Sequence, residues 1–356
     1  MRSSETRQPE IALTERFQAI LKSTFERAPF VSSVVVKREL ADAGADLSVR
    51  VNLPRRRKVH VFVQVKRSGQ PRVVREAINQ VLRYRARWPN AYAMIAAPYI
   101  SPRSGEICAT EGVGHVDLAG NCRLCFGEVY IEVGGHPNPF AERRDLRTLY
   151  SPRASRVLRV LMLDPKRLWK VQELAKSAEV SIGLASRVKA CLADREWLRL
   201  DANGLGVAEP RQLLQEWAGS YSFRKNVVTD YFSLQSVPEI EAKLAEVCSQ
   251  RQWEYALTGF SGAARLVSAV RYNRVQAFVG AGLNELPGLL ELKPVTSGAN
   301  VSLLAPFDAG VFAGARTIDG IRVVSPVQLY LDLKSFHGRG EEAARALLEQ
   351  VMEPSW

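Results

Sequence analysis

Two short segments near the N-terminus alternate between apolar and other side chains, as the strands of a half-buried sheet do. In residues 46–52, Asp46 lies on one face and the apolar side chains lie on the other: Leu47, Val49 and Val51. In residues 60–66 the valines share one face, and the opposite face carries His60, Phe62, Gln64 and Lys66. The pattern predicts two adjacent strands that carry Asp46, Gln64 and Lys66.

The chain after these strands changes to a helical period. Counted from Val73 at about 100° per residue, one sector of the helix is expected to face the body of the domain. Its members are Ala77, Gln80, Val81, Tyr84 and Trp88. Although both are polar, Gln80 and Tyr84 are therefore expected to point inward, toward Lys66.

The remainder of residues 1–137 predicts a strand at 91–96, a strand at 115–118 with a turn after it, and extended chain to residue 132. The glycine- and proline-rich segment 134–139 is a predicted linker that closes this first α/β domain. The hairpin between the two first strands has four cations at its tip, where they could straddle a phosphate backbone: Arg55, Arg56, Arg57 and Lys58.

Residues 151–218 are mainly helical. The pattern predicts a helix at 155–163, a short strand at 169–171, a helix at 171–178, and a second helix that Ser181 caps and that runs to about Ala193. A hairpin follows at 197–207. The outward sector of the capped helix contains small and basic residues: Gly183, Ser186 and Arg187, with Lys189 at its edge.

Residues 219–356 are predicted to form a third, α/β domain. Strands are expected at 255–258, 275–279 and 301–304, and extended chain at 289–295. Asp319-Gly320 predicts a hairpin turn, and Ser325-Pro326 and Gly340 predict helix starts. Asp308 and Asp332 are interpreted as a turn acid and a helix-surface acid.

The positive charge of the chain is concentrated in its first quarter. The whole chain has a net charge of +12, and residues 1–88 carry 19 Lys and Arg against 8 Asp and Glu. Residues 151–218 carry a second excess, of +4, whereas residues 219–356 have a net charge of −1. Positive charge concentrated in one part of the chain is typical of a protein that binds nucleic acid.

The sequence favours a protein that is neither inserted in a membrane nor exported. The sequence contains no run of 18 apolar residues and begins without the apolar segment of a signal peptide. Five cysteines, an odd number, then favour a reducing cytoplasm.

Cys122 and Cys125, with Cys108 and His115 nearby, could suggest zinc, but side chains three apart on a strand point to opposite faces. Buried small hydrophobic residues explain them better.

The motifs of the first domain resemble those of the restriction-endonuclease-like nuclease superfamily: an Asp on one strand, an acid-x-Lys on the next, and Gln80-x-x-x-Tyr84 on the helix, as in its RecB-like branch. The resemblance implies that Asp46 helps to hold a divalent metal and that Lys66 steadies the attacking water or the developing charge. Gln64 stands where the second acid is expected, and an amide binds a hard cation weakly. We therefore expect a non-hydrolytic DNA-binding scaffold; an ordinary α/β domain stays open.

The element order of residues 151–218 resembles a winged helix-turn-helix. That resemblance implies that the helix after the turn enters the major groove of DNA and that the hairpin contacts phosphates. The implied contact residues are Ser181, Ser186, Arg187 and Lys189 on the helix, and Arg199 and Asn203 on the hairpin. A winged helix used only for protein–protein contact is the alternative.

In residues 219–356, Gly259-Phe260-Ser261 before a helix resembles the Gly-Ser turn of nucleotidyltransferases. Such enzymes need an Asp-x-Asp on the next strand to hold two Mg²⁺ ions, and residues 275–279 contain no acid. A nucleotidyltransferase-like domain without catalytic activity is the expectation.

The three parts together resemble the AbiEi-like antitoxin and transcriptional regulator family of type IV toxin–antitoxin systems. The resemblance rests on residues 169–210, 255–259, 304–308 and 325–333. It implies a cytoplasmic repressor whose partners are double-stranded DNA and a nucleotidyltransferase-like toxin encoded nearby, with a homodimer as a further possibility. No membrane partner and no cofactor are expected. The alternative is a Mg²⁺-dependent DNA endonuclease or resolvase that uses Asp46, Gln64 and Lys66.

Overall fold

The computed structural model describes residues 7–29, 31–39, 45–54, 57–88, 90–127, 129–139 and 149–356. Arg55 and Arg56, two of the predicted hairpin cations, lie outside these residues. The chain divides into two compact units. The first contains the described residues before 143 together with Asp194–Glu196, and the second contains the described residues from 149 to 193 and from 197 to 356.

The first unit is built on a mixed sheet. Its described strands pair in chain order: β1 (Ser33–Arg38), β2 (Leu47–Asn52), β3 (Lys58–Val65), β4 (Ala91–Ala97), β5 (Gly114–Asp117), β6 (Cys122–Phe126) and β7 (Val129–Val133). The pairs β3–β4 and β4–β5 are parallel and the others are antiparallel. Its described helices are α1 (Arg7–Glu26), α2 (Pro71–Arg85) and α3 (Pro102–Thr110).

Both faces of this sheet are covered by helices. On one face, α1 places Phe17, Leu21 and Phe25 against the inward residues of β2, β3 and β4. Leu47, Val49 and Val51 are all buried there, which confirms the alternation in the sequence. On the other face, α2 and α3 pack against Phe62 and the neighbouring residues of β4. Each such buried apolar side chain contributes about 1.5–3 kcal/mol.

The predicted inward sector of α2 is only partly correct, since Ala77 and Val81 are buried as expected but other members are not. Its buried face contains Val74, Ala77, Ile78 and Val81, whereas Gln80 is exposed and Trp88 is 51% exposed. Val73 and Val74 are adjacent valines, so the helical phase of the apolar residues can be counted from either one. Packing of Ile78 against the sheet selects the stripe that starts at Val74.

The second unit begins with three helices, a hairpin and a further helix: α4 (Pro152–Leu163), α5 (Val171–Ser177), α6 (Ile182–Asp194), β8 (Leu198–Asp201), β9 (Gly204–Val207) and α7 (Pro210–Ser220). The three helices and the hairpin follow the predicted order, whereas α7 was not predicted. The predicted strand at 169–171 is instead a single bridge between Trp169 and Leu205, because Val171 already starts α5. The Glu173 carboxylate accepts a hydrogen bond from the Lys170 backbone N–H and fixes that start.

The rest of the second unit forms a second mixed sheet with helices. Its described strands are, in sheet order, β13 (Lys293–Pro294), β10 (Val227–Phe232), β14 (Val301–Ala305), β12 (Val275–Val279), β11 (Tyr255–Leu257), β16 (Ile321–Val323) and β15 (Arg316–Ile318). The helices are α8 (Val237–Arg251), α9 (Gly259–Ala263), α10 (Leu286–Leu289), α11 (Pro326–Lys334) and α12 (Arg339–Leu347). Shorter helical turns lie at Phe223–Lys225, Ala309–Phe312, Leu348–Met352 and Glu353–Ser355.

The Asp319-Gly320 turn and the Ser325 cap of α11 lie where the sequence predicts them. Extended chain at 289–295 is confirmed only for Lys293–Pro294. One hydrophobic cluster runs through the second unit from Leu149 to Met352, so α4 and the second sheet share a core.

Candidate functional site

The first unit brings four of the predicted site residues together. Asp46 immediately precedes β2, Gln64 lies near the end of β3, and Lys66 follows that strand. The carboxylate Oδ2 of Asp46 accepts hydrogen bonds from Gln64 Nε2 and from the backbone N–H of Val65, both at 2.7 Å. Lys66 Nζ donates to Gln80 Oε1 at 2.8 Å. The cluster therefore forms, although Gln80 reaches it from the exposed edge of α2.

Gln64 determines what this cluster can do. Its side chain is 9% exposed, and its amide group donates to the carboxylate that would hold a metal. Its buried Oε1 has no hydrogen-bond partner among the described residues. Such an oxygen is a weak neutral ligand, so the cluster provides a single carboxylate beside a lysine.

Tyr84 does not extend the polar cluster. Its ring packs edge-on against Phe62, with 4.6 Å between the ring centroids. Glu15, an acid on α1, is exposed. In the described part of the chain, no group of three or more His, Cys, Asp and Glu residues is placed to hold a metal ion.

The cysteines of the first unit are single thiols. Cys108 and Cys122 are buried and Cys125 is exposed, so the last two point to opposite faces of β6. Burial raises the pKa of Cys108 to about 12 and lowers the pKa of His115, which keeps the thiol and the imidazole uncharged.

α6 and the residue before it present their predicted contact residues to solvent. Ser181 Oγ accepts from the backbone N–H of Leu184 at 3.3 Å, which confirms the predicted cap of α6. Ala185, Val188 and Leu192 bury the opposite face of the helix. The outward side chains of Ser181, Ser186 and Arg187 are exposed, and Lys189 is half-buried.

The tip of the β8–β9 hairpin is fixed by Asp201. Its Oδ1 accepts from the backbone N–H groups of Asn203, at 2.6 Å, and Gly204, at 3.0 Å. Arg199 and Asn203 are exposed on this hairpin. In the first unit, Arg57 and Lys58 are likewise exposed where β3 begins.

A buried polar network joins α4 to the second sheet, and the sequence did not reveal it. Arg159 is 1% exposed and donates to Gln328 Oε1 at 2.6 Å and to Ser155 Oγ at 2.8 Å. Gln328 Nε2 donates in turn to Asp332 Oδ1 at 2.9 Å. A neutral amide therefore connects a buried cation to a buried acid.

Asp332 was wrongly expected on a helix surface, because it is fully buried. It accepts hydrogen bonds from the hydroxyl groups of Tyr221 and Thr258 as well as from Gln328. Burial nevertheless raises the pKa of Asp332 to about 6. Beside this network, Arg156 makes a two-pronged ion pair with Asp308, with N–O distances of 3.0 and 2.9 Å.

The Gly259-Phe260-Ser261 turn is closed by its own hydrogen bonds. Ser261 Oγ lies 3.0 Å from Thr258 O and 3.1 Å from Gln276 O, and accepts from the Gln276 backbone N–H. Gln276 Oε1 accepts from the Phe260 backbone N–H at 3.1 Å. Gly259 has a φ of +54°, and a Cβ there would lie 2.2 Å from Gln276 Oε1. The turn thus faces the amide of Gln276, whereas in a nucleotidyltransferase it would face the acids that hold Mg²⁺.

Comparison with known proteins identifies part of the second unit. Residues 206–353 match the family model described as a transcriptional regulator, the AbiEi antitoxin of a type IV toxin–antitoxin system. The predicted resemblance is therefore confirmed for those residues. The match begins within β9, after α5 and α6. No curated protein matches the chain.

Among solved structures, the chain is similar to EndoMS in its apo form, with 16% sequence identity and a TM-score of 0.21. The likeness covers 28% of this chain and 45% of that structure. A likeness this slight does not define the fold of the first unit. No helix of the described residues is long and apolar enough to cross a membrane.

Proposed function

We propose that this protein is a double-stranded DNA-binding transcriptional regulator of the antitoxin type. The observation that carries the proposal is the outward face of α6, which exposes small polar residues and Arg187 while its other face is buried. The neighbouring residues 206–353, which match a transcriptional regulator family, support the same conclusion. In this proposal residues 151–218 are a winged helix-turn-helix.

The DNA contacts follow from the element that carries each residue. α6 enters the major groove, where Arg187 can donate two hydrogen bonds to a guanine and Ser186 can contact a neighbouring base edge. Ser181 and Lys189 contact phosphates at either end of the exposed face, and Arg199 and Asn203 do so from the hairpin. The basic first unit, including Arg57 and Lys58, adds phosphate contacts that do not depend on sequence.

A mobility-shift titration with the DNA upstream of the protein's own gene tests the proposal. Arg187→Ala should weaken binding to this DNA more than binding to unrelated duplexes, so that the ratio of the two affinities falls roughly tenfold or more. Arg345→Ala, at an exposed arginine of α12, is the matched control and should keep the ratio. Equal affinity of the wild-type protein for all duplexes would contradict sequence-specific regulation.

The family match also guides the choice of partner. We propose that a nucleotidyltransferase-like toxin is encoded next to this protein and that the protein represses the shared operon. Sequencing the adjacent genes tests the first part directly. A reporter gene behind the shared promoter tests the second, because deletion of this protein should raise its expression.

A second candidate function is metal-dependent DNA cleavage by the first unit. It is favoured by one observation: the buried Gln64 Oε1 lacks a partner in the described chain and lies beside Asp46 and Lys66. This candidate predicts cleavage in Mg²⁺ or Mn²⁺ that both Asp46→Ala and Lys66→Ala abolish. Gln64→Glu should strengthen Mn²⁺ binding in calorimetry, because it restores a second carboxylate. An inert protein on single-stranded, duplex and branched DNA would eliminate it.

A further inference from the structure

A small open cavity of about 230 Å³ lies beside α9 in the second unit. Three arginines line it: Arg271, Arg274 and Arg339. Three aromatic rings also line it: Phe260, Tyr272 and Phe336. No aspartate or glutamate of the described residues belongs to its lining. Because residues 219–356 have a net charge of −1, such a concentration of cations is not typical of this part of the chain.

Two of the arginines are held in place by main-chain carbonyl groups. Arg339 Nη2 donates to Arg271 O at 2.8 Å, and its guanidinium lies 5.6 Å from the centroid of the Phe260 ring. Arg274 Nε donates to Ala299 O at 3.0 Å, and its Nη1 lies 3.7 Å from an oxygen of Asp230. Both guanidinium groups keep further N–H donors, because a guanidinium has five.

Arg271 differs from the other two. Its side chain is exposed, and none of the described residues makes a hydrogen bond or an ion pair with its guanidinium. A cation beside two further cations raises the local positive potential, which an incoming anion would relieve. The cavity is therefore arranged for a ligand with more than one negative charge.

The aromatic rings provide a flat apolar surface next to these cations. Phe260 and Phe336 are in contact, with ring centroids 5.7 Å apart. The Tyr272 hydroxyl lies 3.2 Å from a carboxylate oxygen of the buried Glu241, and donates to it. These contacts fix the rings, and fixed rings are the surfaces on which nucleobases stack.

We propose that this cavity binds a phosphate monoester attached to a nucleoside, either a free nucleoside monophosphate or the 5′-phosphorylated end of a nucleic-acid strand. A phosphate monoester carries about two negative charges and three acceptor oxygens at neutral pH, which matches several arginine forks better than one carboxylate does. The volume is below the usual range of roughly 300–1,000 Å³ for ligand pockets, so it suits a monophosphate. This site is separate from the proposed DNA-reading face of α6.

Calorimetry without Mg²⁺ on the full-length protein tests this proposal. AMP and CMP are titrated, each beside its nucleoside, and so are a 5′-phosphorylated trinucleotide and the same trinucleotide with a 5′-hydroxyl. The variant is Arg271→Gln, which breaks no side-chain hydrogen bond or ion pair among the described residues. The matched control is Arg316→Gln, at an exposed arginine of β15 outside the cavity. Circular dichroism verifies that both variants fold.

Each phosphorylated ligand that binds should do so at least about tenfold more tightly than its unphosphorylated counterpart. Arg271→Gln should remove that preference, and Arg316→Gln should retain it. Binding of AMP or CMP identifies free nucleotides as the source, and binding of the phosphorylated trinucleotide alone identifies strand ends. The proposal is overturned if no phosphorylated probe binds saturably, if nucleosides bind as tightly as nucleotides, or if both variants weaken binding equally.

Discussion

At the scale of single residues, the least expected group is Asp332, an acid in the core between α4 and the second sheet. Its three hydrogen-bond donors and the nearby Arg159 favour the charged form, yet burial outweighs them and raises its pKa to about 6. A buried pair of this kind contributes little net stability, but removing one partner leaves the other charge uncompensated. The network therefore fixes how α4 packs on α11 more than it strengthens that packing.

The raised pKa gives a prediction about pH. An acid whose pKa is higher in the folded state than its ordinary 3.8 binds more protons in the folded state, so stability falls as pH rises from about 4 to about 6. Asp332→Asn should remove this dependence, because an amide can accept from Tyr221 and Gln328 and donate to Thr258. The difference in free energy of unfolding between the two proteins should change by roughly 2 kcal/mol over that interval.

Urea denaturation at a series of pH values measures this difference. Asp319→Asn, at an exposed turn, is the matched control for the loss of a charge. If the curves for the wild-type protein and Asp332→Asn stay parallel between pH 4 and pH 6, the buried-acid account is wrong.

At the scale of elements, β2 and β3 of the first unit could be predicted because their valines occupy alternate positions and all face the same core, beneath α1. β10 could not, because only Tyr231 of its six residues is buried and no alternation results. α11 misled the interpretation of Asp332 for the opposite reason. Residues 327–333 are buried on every side, so its polar positions do not mark a solvent face.

Of the candidate sites, too, one could be predicted from the sequence and another could not. The cluster around Asp46 was predictable, because strand alternation and the spacing of its members are local properties of the sequence. The network around Arg159 joins residues as far apart as Arg159 and Gln328, and only the packing of α4 on α11 brings them together. Long-range packing of this kind leaves no periodic signal in the chain.

The β8–β9 hairpin and the helix α6 each contain a glycine, and we expect replacement of the two by alanine to change stability in opposite directions. A Cβ at Gly204 would lie 2.7 Å from the Trp169 carbonyl oxygen, and its φ of +154° suits glycine, so Gly204→Ala should destabilise the protein by about 1–3 kcal/mol. Gly183 is exposed on α6 with nothing within 4 Å of its Cβ position, so Gly183→Ala should stabilise it by up to about 1 kcal/mol.

Thermal unfolding of both variants measures these two effects. Opposite shifts of the melting temperature are expected. A melting temperature of Gly204→Ala equal to or above that of the wild-type protein would mean that the backbone of Trp169 does not lie against Gly204 as described.

At the scale of the whole molecule, charge and function are divided between different parts of the chain. Residues 1–88 hold most of the excess positive charge, whereas the proposed base-reading residues lie on α6 and the family match lies in residues 206–353. Base contacts confer specificity and phosphate contacts confer affinity that depends on salt. The proposed division of labour therefore separates the two kinds of contact along the sequence.

This division predicts how salt should affect single variants. Lys58 is exposed in the basic first unit, so Lys58→Ala should weaken binding to all duplexes alike. It should also reduce the slope of log affinity against log salt by about one unit, since one phosphate contact is lost. Titrations between about 50 and 200 mM salt measure that slope. Lys334→Ala, at an exposed lysine of α11, should leave it unchanged. If Lys58→Ala keeps the wild-type slope, residues near the start of β3 do not contact phosphate, and the positive charge of the first unit has another purpose.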